Sequence, residues 1–112
     1  MKNDFVKDLN RFGGLEFASF KLKEGVTEQD LFKAVDEMVE GLYLREKCFL
    51  GHCLLKGEDN IYVEIVFATD KESAQYLCQK WGQNNNFAKE CLSYLNVMDI
   101  ESTQINFYKR VK

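Results

Sequence analysis

Four segments of the chain alternate apolar and polar residues with a period of two, which predicts four β-strands. They are residues 15–22, 48–56, 60–68 and about 103–111. The second and third segments are separated by the turn-forming residues Gly57, Glu58 and Asp59. This arrangement predicts a β-hairpin.

Two longer segments carry apolar residues at the spacing of three and four that predicts amphipathic helices. In the first, Thr27 is the predicted N-cap and Asp30 is the acidic residue of the first turn. The second begins at residue 69 or 70, and its apolar stripe includes Trp81, which we interpret as a core residue. One predicted helix therefore follows the first strand, and the other follows the hairpin.

Two shorter segments are less regular. Residues 84–86 are three consecutive Asn, which are good N-caps, and they predict a short helix over the following residues. Near the N-terminus, Phe5, Val6, Leu9 and Phe12 recur at helical spacing before a Gly pair. This spacing predicts an N-terminal amphipathic arm over residues 1–14, followed by one folded domain over residues 15–112.

The order strand, helix, strand, strand, helix, strand predicts an α+β fold of the ferredoxin-like β-α-β-β-α-β type. In such a fold both helices cover one face of a four-stranded antiparallel sheet, and the other face is bare. Because a monomer rarely leaves a large apolar face in water, we expect a homodimer through the bare face. Burying on the order of 1,000 Å² of apolar area supplies a gross term of roughly 25 kcal/mol. Alternation places these apolar residues on the bare face: Phe17, Leu50, Leu54, Tyr62, Val66 and Tyr108.

Composition narrows the expected partners. The chain has 112 residues, of which 46% are hydrophobic, so we expect one domain with a buried core. Its net charge of −3 is spread along the chain, and its one basic cluster lies at the C-terminus, which argues against binding nucleic acid. No apolar run reaches the roughly 20 residues of a membrane span, and no signal-peptide pattern is present. We therefore expect a cytoplasmic protein that does not bind membranes.

Residues that bind metals or form common catalytic motifs are sparse. Cys48, Cys53, Cys78 and Cys91 contain no C-x-x-C pair, and His52 is the only histidine, so we expect free thiols and no metal site. The sequence contains no Gly-rich phosphate loop, H-E-x-x-H pair or G-x-S-x-G elbow. No cofactor is therefore expected.

The sequence resembles the dimeric α+β barrel superfamily, and within it the antibiotic-biosynthesis-monooxygenase-like branch. The resemblance is carried by the stretches FASFKLKEGVTEQDLFKA, CFLGHCLLKGEDNIYVEIVFATDKESA and INFYKRV, which lie between residues 16 and 111. It implies a barrel formed by two subunits, with small aromatic or lipophilic ligands bound between the sheet and the helices. Many relatives carry an aromatic residue just before the second helix, where this chain has Ala68. Haem-degrading relatives use a helical His, whereas His52 lies on a predicted strand.

One pair of residues has the character of a proton-transfer pair. A hairpin centred on Glu58 places His52 opposite Glu64 on the bare face. A histidine and a carboxylate in apolar surroundings can exchange a proton near neutral pH, so we predict His52 as general base and Glu64 as the residue that orients it. The alternative is a structural ion pair in the dimer core. On the same predicted face, the candidate substrate-binding residues are Ser19, Tyr62, Asn106 and Tyr108, with Tyr62 and Asn106 holding a developing oxyanion.

Three functions remain open at this point. The first is a cofactor-independent, monooxygenase-like enzyme, or a binding protein, for an apolar organic compound. The second is a non-enzymatic, stress-responsive or regulatory dimeric barrel domain whose cavity is filled by its own side chains. The third is a subunit of a hetero-oligomer held through Phe5, Leu9 and Phe12 of the arm.

Overall fold

One four-stranded antiparallel sheet organises the structure, with helices packed on one of its faces, as the fold class predicted. The computed structural model describes residues 5–112, so the first four residues of the predicted arm lie outside the described residues. The strands, in chain order, are β1 (Gly14–Leu22), β2 (Phe49–Lys56), β3 (Ile61–Ala68), the two-residue β4 (Gly82–Gln83) and β5 (Asn86–Phe87), and β6 (Met98–Lys109). The large sheet has the order β2-β3-β1-β6, while β4 and β5 pair with each other.

Within residues 5–112, three α-helices supply the other layer. They are α1 (Glu28–Met38), α2 (Lys71–Gln79) and α3 (Leu92–Val97), and a π-helical turn, Val39–Tyr43, continues α1. Short 3₁₀ turns cover Leu9–Arg11 and Lys89–Cys91. The hydrophobic core lies between the helices and the sheet and includes the fully buried Phe20, Leu31, Met38, Leu77 and Tyr94. Within residues 5–112 no helix combines the length and the apolar character that crossing a membrane requires.

The start of α1 follows the sequence prediction. Thr27 Oγ1 accepts a hydrogen bond from the Asp30 amide at 3.1 Å, and the Thr27 amide donates to Asp30 Oδ2 at 3.0 Å. This reciprocal capping box satisfies two amides that the first helical turn leaves unpaired. In α2 the cap is Asp70, whose Oδ1 accepts from the Ser73 amide at 2.7 Å.

The segment after α2 departs from the prediction. The Asn run does not cap a helix, because Asn84 (φ 57°) and Asn85 (φ 65°) adopt left-handed backbone conformations in the turn between β4 and β5. Two such residues in a row form the type I′ turn that joins short hairpins, and Asn tolerates this conformation better than most residues. The last strand, β6, also begins at Met98, earlier than the predicted residue 103.

Side chains of the large sheet alternate between a helix-covered face and an open face. The register pairs Phe17 with Ile65 and Ala18 with Glu64, which fixes which positions of β1 and β3 share a face. The helix-covered face carries Glu16, Ala18, Phe20, His52, Leu54, Tyr62, Glu64 and Val66. The open face carries Leu15, Phe17, Ser19, Cys53, Leu55, Val63, Ile65, Phe67, Gln104, Asn106 and Tyr108.

This assignment corrects the predicted bare face. Phe17 and Tyr108 do lie on the open face, and their rings are in edge contact with centroids 6.3 Å apart. Leu54, Tyr62 and Val66 were predicted there but lie under the helices, and Leu50 is buried at a β-bulge. Alternation shows which residues of one strand share a face, but it does not show which face the helices cover when both are apolar.

The N-terminal arm lies along the free edge of β2. Val6 forms a bridge with Gly51, and the His52 amide donates to the Phe5 carbonyl at 2.8 Å. Phe12 packs against Phe67 of the open face, with ring centroids 5.2 Å apart. The arm therefore protects a strand edge that would otherwise present unpaired backbone groups.

Candidate functional site

Three ionisable side chains are buried together on the helix-covered face. Among the described residues, Glu16, His52 and Glu64 are the buried polar or charged side chains, each 4–6% exposed. They come from β1, β2 and β3, which are neighbours in the order β2-β3-β1. Glu64 is therefore in the middle, with His52 on one side and Glu16 on the other.

The predicted contact between His52 and Glu64 is confirmed, although its register and face differ from the prediction. His52 Nε2 and Glu64 Oε2 are 2.7 Å apart, within hydrogen-bond distance. His52 is opposite Val66, and Glu64 is opposite Leu54, so the pair is diagonal. Diagonal neighbours in a sheet are about 7–8 Å apart, which long side chains can span. Both residues lie under the helices, and their predicted place on the bare face is wrong.

The hairpin turn explains the shift in register. The Gly57 amide donates to the Ile61 carbonyl at 2.7 Å, so the turn is centred on Asp59, one residue later than predicted. Asp59 (φ 58°) and Asn60 (φ 60°) both adopt left-handed conformations, which Asp and Asn tolerate. When the centre of the turn moves by one residue, the residue opposite any position of β2 changes by two, here from Glu64 to Val66 for His52. Because side chains alternate with a period of two, His52 and Glu64 still lie on the same face.

Glu16 is the member of the cluster that the sequence analysis missed. Burial raises the pKa of its carboxyl well above the ordinary value, and the charge of Glu64 raises it further, while a hydrogen bond with the Cys78 thiol opposes the shift. Glu16 is therefore a neutral acid at a pH where an exposed glutamate is ionised. The sequence did contain a signal for this role, since Glu16 is the only acidic residue in the largely apolar predicted strand at residues 15–22.

A cleft opens beside this cluster, between the sheet and the helices. Its volume is about 270 Å³. Glu16 and Glu64 reach its wall, whereas the His52 side chain is only 2% exposed and lies behind Glu64. The remaining lining is mostly apolar and consists of Ala18, Cys78, Trp81, Gly82, Phe87, Leu95, Met98, Ile100, Thr103 and Ile105.

Trp81 forms one wall of this cleft and also packs against the core. Its Nε1 donates to Tyr43 Oη at 2.8 Å, and its ring lies 5.2 Å from the ring of Tyr94, measured between centroids. The prediction that Trp81 is a core residue is thus incomplete, since the ring also faces the cleft. Tyr43 ends the π-helical turn, a feature that is frequent at functional sites.

Two buried tyrosines stand beside the carboxyl pair. Burial raises the pKa of the Tyr43 and Tyr94 hydroxyls well above the ordinary value, and the charges of Glu16 and Glu64 raise it further. Both hydroxyls therefore keep their protons. Tyr94 Oη has no hydrogen-bond partner that meets ordinary geometry among the described residues.

The cysteines are free thiols. Cys78 lines the cleft, but burial raises the pKa of its thiol to about 12, and Glu16 and Glu64 add to this shift. Since the thiolate is the nucleophile of cysteine chemistry, Cys78 is not set up for nucleophilic attack. Cys91 is buried deeper, and burial raises the pKa of its thiol to about 12 as well.

The four predicted substrate-binding residues are not gathered around Glu64. Ser19, Asn106 and Tyr108 lie on the open face, on the opposite side of the sheet from the cleft. Tyr62 lies on the helix-covered face, but its hydroxyl donates to Glu28 at 2.7 Å at the start of α1. Tyr62 and Asn106 therefore face opposite sides of the sheet, and the predicted grouping is wrong because β1 and β3 pair with the opposite parity to the one assumed.

Comparison with known proteins gives matches among solved structures, whereas no protein-family model and no curated protein matches the chain. A Bordetella bronchiseptica protein assigned as an antibiotic biosynthesis monooxygenase superposes with a TM-score of 0.66 at 18% identity, covering 89% of this chain and 99% of that one. SnoaB, a cofactor-independent oxygenase from Streptomyces nogalater, gives a TM-score of 0.62 at 14% identity, with coverages of 89% and 95%. A conserved protein from Methanosarcina mazei gives 0.64 at 14% identity, with coverages of 92% and 97%.

At such identities the likeness concerns the fold alone. It agrees with the sheet order, with the helices on one face, and with the resemblance stated from the sequence. The chain therefore shares the fold of these antibiotic-biosynthesis-monooxygenase-like structures.

Proposed function

We propose that this chain binds a small apolar organic compound in the cleft and removes a proton from it, as a cofactor-independent, monooxygenase-like enzyme. The observation that carries the proposal is the buried His52–Glu64 pair at the wall of an apolar cleft. Ligand sites are mostly apolar concavities with a few polar groups that converge on one point. Ionisable groups of this kind are costly to bury, so their presence favours a functional role.

In this proposal the roles of the two residues are exchanged relative to the sequence prediction. Glu64 reaches the cleft and is the group that accepts the proton from the substrate. His52 is shielded from the cleft and acts as a positioning residue, since its 2.7 Å contact fixes the Glu64 carboxylate. A base must lie within hydrogen-bond reach of the proton that it removes, and of His52 and Glu64 it is Glu64 that lines the cleft.

The oxygenase step needs molecular oxygen as co-reactant. Glu64 takes a proton from a substrate CH₂ group that is made acidic by adjoining hydroxylated aromatic rings. The carbanion R₂CH⁻ forms a C–O bond with O₂, which is reduced to the peroxide R₂CH–OO⁻. The proton returns from Glu64 to this peroxide and gives the hydroperoxide R₂CH–OOH. Loss of water, by cleavage of the O–O bond and the remaining C–H bond, gives a carbonyl group, so that R₂CH₂ and O₂ become R₂C=O and H₂O. The similarity of the fold to that of SnoaB, a cofactor-independent oxygenase, supports this choice.

The two alternative functions have less support. A purely structural barrel predicts a cavity filled by the protein's own side chains, yet about 270 Å³ is open beside Glu64. A hetero-oligomer held through the arm requires free apolar side chains. Phe5 is instead buried against the core, and Phe12 packs on Phe67.

The residues that the structure places on the open face support the proposed homodimer more strongly than the residues predicted for that face. Its two central strands present Leu15 and Phe17 of β1, and Val63, Ile65 and Phe67 of β3. A contiguous apolar surface of this kind is rarely left in water. We propose that a second copy covers it, with the cleft on the other side of each sheet.

Oxygen uptake tests the proposed function. Purified protein is assayed with a panel of hydroxylated aromatic compounds, with and without an aminoalkyl chain, and we expect uptake with at least one of them. Glu64→Gln should lower the rate about 10²–10⁴-fold, the usual contribution of a general base. The matched control is Glu58→Gln in the exposed hairpin turn, which should leave the rate unchanged.

His52 needs a separate readout because its removal also disturbs a buried contact. We expect His52→Gln to lower kcat and alter its pH profile, with a smaller effect on KM. A Glu64→Gln variant that turns over as fast as the wild type would refute the assignment of the base. If no compound of the panel causes oxygen uptake, the proposed oxygenase step is wrong.

A further inference from the structure

The cleft contains more acidic than basic side chains. Among the described residues that line it, Glu16 and Glu64 are acidic, and none is Lys, Arg or His. His52 supplies one base, which lies behind Glu64. The site therefore contains two acids and one base, which leaves one carboxyl group without a cationic partner.

Glu16 is the acid without such a partner. The groups that act on it are Glu64, which repels a second negative charge, and the Cys78 thiol. Buried carboxylates in proteins are normally paired with a cation, because an isolated buried charge is costly. Glu16 lines the cleft although it is only 4% exposed, so a ligand in the cleft is the group that can reach this carboxyl group. The fully buried Tyr94 hydroxyl lies behind the cleft and interacts with Glu64.

We propose that the cleft selects an apolar compound that carries an ammonium group, a hydrophobic primary amine, held between the Glu16 and Glu64 carboxyl groups. This inference rests on the proposed function, since it names the substrate class of the same cleft. The ammonium group of the ligand supplies the positive charge that the cleft lacks. An anionic ligand is disfavoured, because the Glu64 charge would repel it and none of the described lining residues is a cation that could pair with it.

The geometry of the sheet suits one ammonium ion. Glu16 is opposite Val66, and Glu64 is opposite Ala18, so the two acids are diagonal neighbours on β1 and β3. Their carboxyl groups can approach a common point, and an ammonium group offers three N–H donors and no acceptor. One ammonium can thus donate to both carboxyl groups.

The rest of the cleft suits the apolar body of such a compound. Leu95, Met98, Ile105 and Phe87 form apolar walls, and the Trp81 ring closes one side. At about 30 Å³ per water-sized group, a volume of about 270 Å³ holds on the order of ten such groups. A single ring with a short aminoalkyl chain is of this size, and 2-phenylethylamine is a suitable probe.

Binding of a cation should also release a proton. In the free protein Glu16 is neutral, and the groups that face it are Glu64 from β3, Cys78 from α2, Tyr43 from the π-helical turn and Tyr94 from α3. None of these is cationic. An ammonium ion beside Glu16 favours its ionised form, so the affinity for the amine should rise with pH, by up to about tenfold per unit.

Trp81 is the only tryptophan and lines the cleft, so its fluorescence reports binding directly. The titrants are 2-phenylethylamine, its neutral isostere 2-phenylethanol and the anion 3-phenylpropionate. We expect the amine to bind at least tenfold more tightly than the alcohol at neutral pH, and the anion not to bind. Glu16→Gln should remove this preference and the pH dependence, while keeping the affinity for the alcohol. The matched control, Glu58→Gln on the exposed turn, should keep both.

The outcomes separate the two levels of the proposal. Equal affinity for the amine and the alcohol would overturn the cation inference and leave an apolar binding cleft in place. Binding of neither compound would contradict both the inference and the proposed function. A preference for the amine that persists in Glu16→Gln would place the cation elsewhere and would also overturn the inference.

Discussion

Replacing Glu16 with Gln should make the fold less sensitive to pH. In the wild type, burial raises the pKa of Glu16 well above the value of 4.5 that it has when exposed in the unfolded chain. Between these two pKa values the folded state binds one more proton than the unfolded state. By linkage, the free energy of unfolding then falls as the pH rises. The contribution of Glu16 is complete below pH 4.5 and is lost progressively above it.

The size of the effect follows from the same relation. A difference of one bound proton changes the free energy of unfolding by at most about 1.4 kcal/mol per pH unit. Gln has nearly the same shape as Glu and does not titrate. The stability of Glu16→Gln relative to the wild type should therefore rise by up to about 1.4 kcal/mol from about pH 5 to about pH 6.

Urea unfolding followed by Trp81 fluorescence measures this difference, with both proteins at the same concentration so that association does not bias the comparison. For an m-value of about 1–3 kcal/mol/M, the gap between the two urea midpoints should change by about 0.5–1.4 M per pH unit. Parallel pH profiles for the two proteins would show that Glu16 titrates as an exposed acid, and the electrostatic account of the cleft would fail.

Two further predictions concern the parts of the fold that support the cleft. In sedimentation the chain should behave as a particle of about twice its 13.1 kDa mass, and Ile65→Asp on the open face should give monomers, whereas Phe32→Asp on the exposed side of α1 should not. A monomeric wild type would rule out the proposed dimer. Gly82→Ala should destabilise the fold by about 1–3 kcal/mol, because Gly82 has φ 101° and an added Cβ would lie 2.2 Å from the Asn86 carbonyl oxygen. The control is Gly57→Ala, where the nearest atom is 3.6 Å away; equal losses in a urea titration would contradict this explanation.

Some features set by neighbouring residues were predicted well, although the Asn run at residues 84–86 was not. The α1 cap needs only Thr27 and Asp30, three residues apart, and the structure contains both of its hydrogen bonds. The β2–β3 hairpin is also local. Its centre was misplaced by one residue, since Asp59 and Asn60 both adopt left-handed conformations, but the contact between His52 and Glu64 survived because the error preserved parity.

Features that depend on distant pairings were predicted poorly. The face of β3 that the helices cover depends on packing against α1 and α2, and both faces of this strand are rich in apolar residues. The role of Glu16 depends on the pairing of β1 with β3, which brings it diagonal to Glu64 across 48 positions of sequence. No local sequence pattern encodes the register of β1 against β3. Membership of Glu16 in the buried cluster was therefore visible only in the structure.

The central claim is that an apolar compound binds between the sheet and the helices, next to the carboxyl pair. A ¹H–¹³C NMR titration with 2-phenylethanol that follows side-chain methyl groups tests it most directly, because the two faces of the sheet carry different methyl groups. We expect the largest shifts at the methyl groups that line the cleft, those of Ala18, Leu95 and Met98. Shifts confined to methyl groups of the open face, such as those of Val63 and Ile65, would contradict the claim.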